Sequence, residues 1–193
     1  MPSRPAPSLL AMVLLAGTAS ADVVERVLAV VDDTPVLLSE TRALERLKQV
    51  DREAALQALI DEILMLREAS RLKEAAVSTE EEQRALQSFK KTLGAGDASL
   101  DEELLRRIAR RQSVILKYVE LRFRPQLRID DAELLRAYRE QYGGRPGAPT
   151  FEAVESELSA SLTSRALGSR IDAWVAELRS GARIRLNPNA PQS

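Results

Sequence analysis

Cysteine and histidine are both missing from this 193-residue chain. Without cysteine there is no disulfide framework, no thiolate metal site and no thiol nucleophile, so stability has to come from packing. Without histidine there is no imidazole base near neutral pH, which excludes Ser-His-Asp and Cys-His systems and most zinc sites. An enzyme would have to work with carboxylates or lysine alone. Aromatic residues are scarce at 4 %, and the formal net charge is −1, so no global attraction to nucleic acid is expected. No segment is apolar over the roughly 20 residues needed to span a bilayer. No glycine-rich phosphate loop, metal-ligand cluster or nucleophile elbow appears. No catalytic residue, metal or cofactor is therefore assigned.

What is abundant is alanine, leucine, glutamate and arginine, the composition of a helical protein. The N-terminus reads as a secretory signal. Arg4 supplies the positive start, Leu9 to Ala16 is a short apolar run, and Ala19-Ser20-Ala21 is a small-residue cleavage pattern. The expectation is an exported protein whose mature chain starts at Asp22; the other reading of the same run is an N-terminal membrane anchor left uncleaved. With no cysteine after the apolar run, lipoprotein attachment is excluded.

The remainder has the length of one ordinary domain. Val24 to Val31 and Val36 to Leu38 are apolar and flank Asp32-Asp33-Thr34-Pro35, which predicts a hairpin. Ser39 is expected to cap a helix over 40–49. Asp51 opens the next, to about Lys73, with Leu56, Leu59, Ile60, Ile63 and Leu64 on one face. Ser78 to Glu81 is a capping box for a helix ending near Leu93, stopped by Gly94 and Gly96. Ser99 to Glu102 reads as a second box. It opens a long helix to about Arg124, with Leu104, Leu105, Ile108, Ile115, Leu116 and Val119 inward and Pro125 as its stop. Asp130 caps a helix through Leu134, Leu135 and Tyr138 to about Tyr142.

Residues 143–149 form the one clear linker, rich in Gly and Pro. Thr150 then caps a helix of about 30 residues, roughly 45 Å long. Its stripe is Phe151, Val154, Leu158, Leu162, Leu167, Ile171, Trp174, Val175 and Leu178, and Gly181 ends it. Arg183 to Leu186 alternates like a half-buried strand. A lone strand cannot satisfy its own backbone, and the N-terminal hairpin is its most economical partner. The predicted fold is mostly α, with a small antiparallel sheet formed by the N-terminal hairpin and the C-terminal strand. Its organisation is a signal over 1–21, a helical core over 22–142, the linker, a completing helix and strand over 150–187, and a disordered tail over 188–193.

Val24 to Ser39 resembles the opening hairpin of the SurA-type periplasmic chaperones. Leu56 to Ala69 resembles that family's signature helix, and Val77 to Leu86 the helix after it. Arg107 to Tyr138 is similar to the stretch leading to its isomerase domain, and Phe151 to Leu186, with Trp174-Val175-Ala176-Glu177-Leu178-Arg179, to its closing helix and strand. The chain departs from the family in one respect: residues 143–149 stand where full-length members carry parvulin domains. The resemblance implies an ATP-independent holdase in the periplasm without prolyl-isomerase activity. Its partners would be unfolded exported polypeptides, outer-membrane β-barrel precursors among them, with no nucleic acid. The client-binding part of trigger factor looks similar but is cytosolic, and the export signal points away from it. The alternative reading is an interaction subunit dedicated to one folded envelope partner.

A holdase needs apolar surface left open to solvent. The candidate client-binding residues are Tyr118, Leu121, Phe123 and Tyr138, where aromatics gather on the long helix and its successor. Between residues 106 and 128, eight basic residues (Arg106, Arg107, Arg110, Arg111, Lys117, Arg122, Arg124 and Arg128) meet only Glu120, while 51–82 hold nine acids and four bases. Either the two segments neutralise each other or the basic one attracts acidic clients or anionic headgroups. Asp32 and Asp33 beside Glu40 are explained by a turn and a helix start, not by carboxylate catalysis.

Overall fold

A computed structural model describes residues 25–93 and 100–188. Residues 1–24, where the signal was expected, Gly94, Gly96, Ser99 and the tail beyond Pro188 lie outside the described residues. The fold is mostly α-helical, with one small sheet.

The sheet begins with β1 (Val27–Val31) and β2 (Thr34–Leu37), an antiparallel pair. Asp32 makes the turn in the left-handed region, φ 51°, where a short polar side chain is tolerated. Pro35 lies inside β2 rather than in the turn. It is accepted there because β2 is an edge strand and a proline cannot donate to a second neighbour. On the other side of β1 runs β3 (Ile184–Leu186), with Ala29 opposite Leu186 and Val31 opposite Ile184. The order β2-β1-β3 unites the two distant parts of the chain, as the backbone argument anticipates.

Six helices are present among the described residues. These are α1 (Leu38–Lys48), α2 (Arg52–Ala69), α3 (Thr79–Leu93), α4 (Glu102–Arg122), α5 (Asp131–Tyr142) and α6 (Phe151–Ser180). Their starts show how local the capping chemistry is. Asp51 accepts from the Ala54 amide at 2.8 Å, and Asp130 from Glu133 at 2.7 Å. Ser78 and Glu81 form a reciprocal box, Glu81 N to Ser78 Oγ at 3.2 Å and Ser78 N to Glu81 Oε2 at 2.7 Å. Two expected caps are corrected. Ser39 lies inside α1, and the carboxylate of Glu25, fourteen residues upstream, accepts its amide at 3.2 Å. At α4 the cap is Asp101, which accepts from Leu104 at 3.2 Å. Thr150 does sit at the start of α6, but its side chain makes no capping bond. The second helix stops at Ala69, short of Lys73, and a 3-10 turn over Lys73–Ala75 follows.

The main core lies under the sheet. Ala29, Val31 and Val36 pack on Leu44 from α1, on Leu59, Ile60 and Leu64 from α2, and on Leu104 and Ile108 from α4. Each buried Val, Leu or Ile among them contributes about 1.5–3 kcal/mol by leaving water. Leu86, Leu105 and Ala109 seam α3 to α4. A separate cluster of Leu134, Val154, Leu158 and Leu162 joins α5 to the first half of α6, making a helical hairpin with its own small core. Its connection turns through Gly144 and Gly147, at φ 72° and 76°. The Tyr138 hydroxyl donates to the Pro149 carbonyl at 2.7 Å and pins the linker to the helix. Leu116, expected among the inward positions, is 61 % exposed, and Leu135 of α5 is 41 % exposed.

Asp32 ties three parts together. Its carboxylate accepts the Arg183 amide at 2.8 Å and the Arg67 guanidinium of α2, while its own amide donates to the Arg183 carbonyl at 2.8 Å. The Arg183 amide, then Arg67, hold the Asp32 carboxyl below its ordinary range. At Glu81 the Ser78 amide, then Lys117, do the same. A depressed folded-state pKa stabilises the fold above the ordinary carboxylate value, and that contribution is lost as pH falls through the depressed one. The melting temperature is therefore expected to hold near neutrality and to drop below about pH 4. Asp32→Asn should melt earlier at pH 7 and show a smaller acid-induced drop. Thermal melts followed by circular dichroism across that range check this, and an Asp32→Asn profile parallel to wild type would contradict it.

Candidate functional site

The second half of α6 lies against α2 and α4, and the three helices do not close completely. Between them runs a cleft of about 570 Å³. Its apolar surface comes from Ala58 and Met65 of α2, Ile115, Leu116 and Val119 of α4, and Ile171 and Val175 of α6. Leu116 is the most exposed large apolar side chain among the described residues. Asp61, Gln112, Asp172 and Arg179 add polar groups. Arg179 donates to Asp61 and to the Gln57 side chain (3.0 Å), which locks α6 to α2 at one end of the opening.

Beneath this cleft lies a buried ionic network. Arg111 of α4, 8 % exposed, donates from Nε to Glu62 Oε2 at 3.0 Å and from Nη1 to both oxygens of Glu40 at 3.4 Å. Gln112 donates to Glu62 Oε1 at 2.8 Å, and Lys48 approaches the same oxygen at 3.4 Å. Two carboxylates and one cation, Arg111, are buried, and the exposed Lys48 adds its charge from the rim. Arg111 Nη2 is buried without a hydrogen-bond partner in the structure. A buried pair with an unmet donor adds little net stability.

The four residues singled out from sequence do not form one surface. Tyr118 is buried, stacked on Trp174 with ring centroids 5.0 Å apart and planes at 22°. Phe123 is half-buried and joins them, 5.4 Å from Trp174 and 6.2 Å from Tyr118. Tyr138 belongs to the α5–α6 hairpin and packs edge-on to Phe151. Only Leu121 is open, at 46 % exposure. Tyr118 is corrected to a core residue because Trp174, 56 positions later, covers its face.

Leu116, Ile171 and Val175 were missed as cleft residues. Their apolar periodicity reads as core, and only the mixed face that Leu116 shares with Gln112 signals otherwise. Within the basic segment, Arg110 pairs with Glu82, Arg111 with Glu40 and Glu62, and Lys117 with Glu81. Three of the eight basic residues are thus paired with acids from 40–82, while Arg106 pairs with Glu102 and Arg124 with Glu120.

Among the described residues no group of three or more acidic, histidine or cysteine side chains is placed to hold a metal, and no helix is long and apolar enough to cross a membrane. No family model and no curated protein matches the sequence.

Proposed function

We propose that this protein is an ATP-independent holdase of the periplasm, similar to the chaperone core of the SurA type and without prolyl-isomerase activity. It would bind unfolded exported polypeptides, outer-membrane β-barrel precursors among them, and keep them from aggregating. The observation that supports this reading is the apolar cleft between α2, α4 and α6, with Leu116 61 % exposed. Unfolded chains present apolar side chains and unpaired backbone together. A cleft that mixes aliphatic walls with Asp61, Gln112 and Asp172 offers partners to both. Release without an energy source needs modest affinity, and a micromolar dissociation constant, about −8 kcal/mol, suits that. The short connection over 143–150 supports the reading without isomerase activity, since it joins α5 directly to α6.

The test is light scattering from a denatured β-barrel protein diluted with and without residues 22–193. Dose-dependent suppression near equimolar ratio is expected. Leu116→Glu should weaken suppression several-fold while leaving the melting temperature nearly unchanged. Leu116 is exposed and its side chain makes no hydrogen bond or ion pair, so its substitution should cost no more than about 0.5 kcal/mol. A folded, soluble wild type that leaves scattering unchanged would end the holdase reading in favour of one dedicated partner.

A further inference from the structure

A second cleft, of about 580 Å³, lies on the opposite flank of α6 from the apolar one. The two are set apart by helical phase. Ile171 and Val175 face the first, while Arg170, Trp174 and Glu177 line the second. Its floor is the Trp174–Phe123 edge of the aromatic cluster, and four arginines surround it: Arg67 and Arg71 from α2, Arg122 from α4 and Arg170 from α6. The ion pairs divide these arginines unequally. Arg67 is engaged by Asp32 and Arg71 by Glu68. Arg122 and Arg170 are exposed and have no ion pair among the described residues. Glu177 is the one lining acid that holds no arginine. Arginine keeps its charge at every relevant pH and binds carboxylates through a planar fork. Two such forks standing open beside an aromatic floor make a site for anionic groups attached to an apolar one.

We propose that this arginine-rimmed cleft binds an acidic polypeptide segment, its carboxylates on Arg122 and Arg170 and an apolar side chain between them on Trp174 and Phe123. Charge complementarity selects the partner's sign. The concave shape selects a chain over a membrane, because a flat lipid surface cannot reach a recessed aromatic floor. The site is separate from the apolar cleft, so it stands or falls independently of the holdase reading.

The chain contains a single tryptophan, and it is part of this floor. Its fluorescence therefore reports occupancy directly. The probe is a capped peptide with one leucine flanked on each side by alternating Asp and Glu. Its counterpart carries Lys in place of every acid. The acidic peptide is expected to shift Trp174 emission saturably, with affinity that falls as salt rises. The Lys peptide should not. Anisotropy of the same peptide carrying a dye covers binding that leaves Trp174 silent. The double variant Arg122→Glu/Arg170→Glu breaks no ion pair among the described residues, so it should fold as wild type by circular dichroism. It should bind the acidic peptide about tenfold more weakly or worse. No binding by either readout would overturn the proposal, as would equal binding of the Lys peptide or unchanged affinity of the double variant. A response to anionic vesicles or inorganic phosphate without one to the peptide would overturn it in favour of those ligands.

Discussion

Arg111→Ala should lower the unfolding free energy by about 3–5 kcal/mol, because it leaves Glu40 and Glu62 buried with their main cation gone. Lys48 reaches only Glu62, from 3.4 Å and from a partly exposed position, so Glu40 is stranded. A domain of this size is stable by about 5–15 kcal/mol in total, so the loss is a large share of it. In urea the midpoint should fall by about 2 M. The informative comparison is Arg111→Met combined with Glu40→Leu and Glu62→Met. If the network is held for specificity, this apolar replacement recovers most of the loss or exceeds wild type. A midpoint for Arg111→Ala within experimental scatter of wild type would mean that water reaches the carboxylates and relieves them.

The second large effect is expected at Trp174. Trp174→Ala should cost about 3–5 kcal/mol by removing a buried ring and opening a cavity against Tyr118 and Phe123. Stacking adds to what area alone predicts, about 0.5–1.5 kcal/mol per aromatic pair. The loss should not be uniform. Trp174 joins the second half of α6 to α4, and α6 runs through Gly181 into β3. Amide exchange should therefore rise first in that half of α6 and in β3. The α5–α6 hairpin, with its own cluster around Leu158, should keep relatively more protection. Trp174→Phe should retain much of the stability. A loss below about 1 kcal/mol for the alanine variant would show the aromatic cluster to be dispensable.

The parts of this fold that can be read from the sequence are those set by short-range physics. Asp51, Ser78 and Asp130 cap their helices through residues three positions away, and those starts are visible in the chain itself. The sheet was legible for a different reason. An isolated strand at Ile184 has unmet backbone groups, and only one apolar hairpin was available to meet them. The rest depended on distant partners. Ser39 looks like a cap until Glu25 is folded over it, and Tyr118 looks open until Trp174 arrives. Glu40, Glu62 and Arg111 are unremarkable charges on three amphipathic helices, and nothing local marks them as one buried group. The apolar cleft escapes the sequence because a helical stripe records which residues avoid water, not whether neighbouring helices close over them. Leu116 follows the periodicity of a core residue and is left in the opening.

The sheet order carries a consequence for how a nascent chain acquires this structure. The central strand β1 receives its second partner from β3, and the bonds that close the pair, Arg183 to Asp32 and Asn187 to Val27, span 151 and 160 residues. Contacts of such separation form late, since the entropy of closing the loop is lost before any bond repays it. A chain emerging N-terminus first can assemble α1 to α4 early, but one edge of β1 stays bare until nearly the last described residue has appeared. During synthesis the hairpin is thus an open template for any passing strand. Completion of the fold becomes a timed event, fixed by the arrival of Leu186.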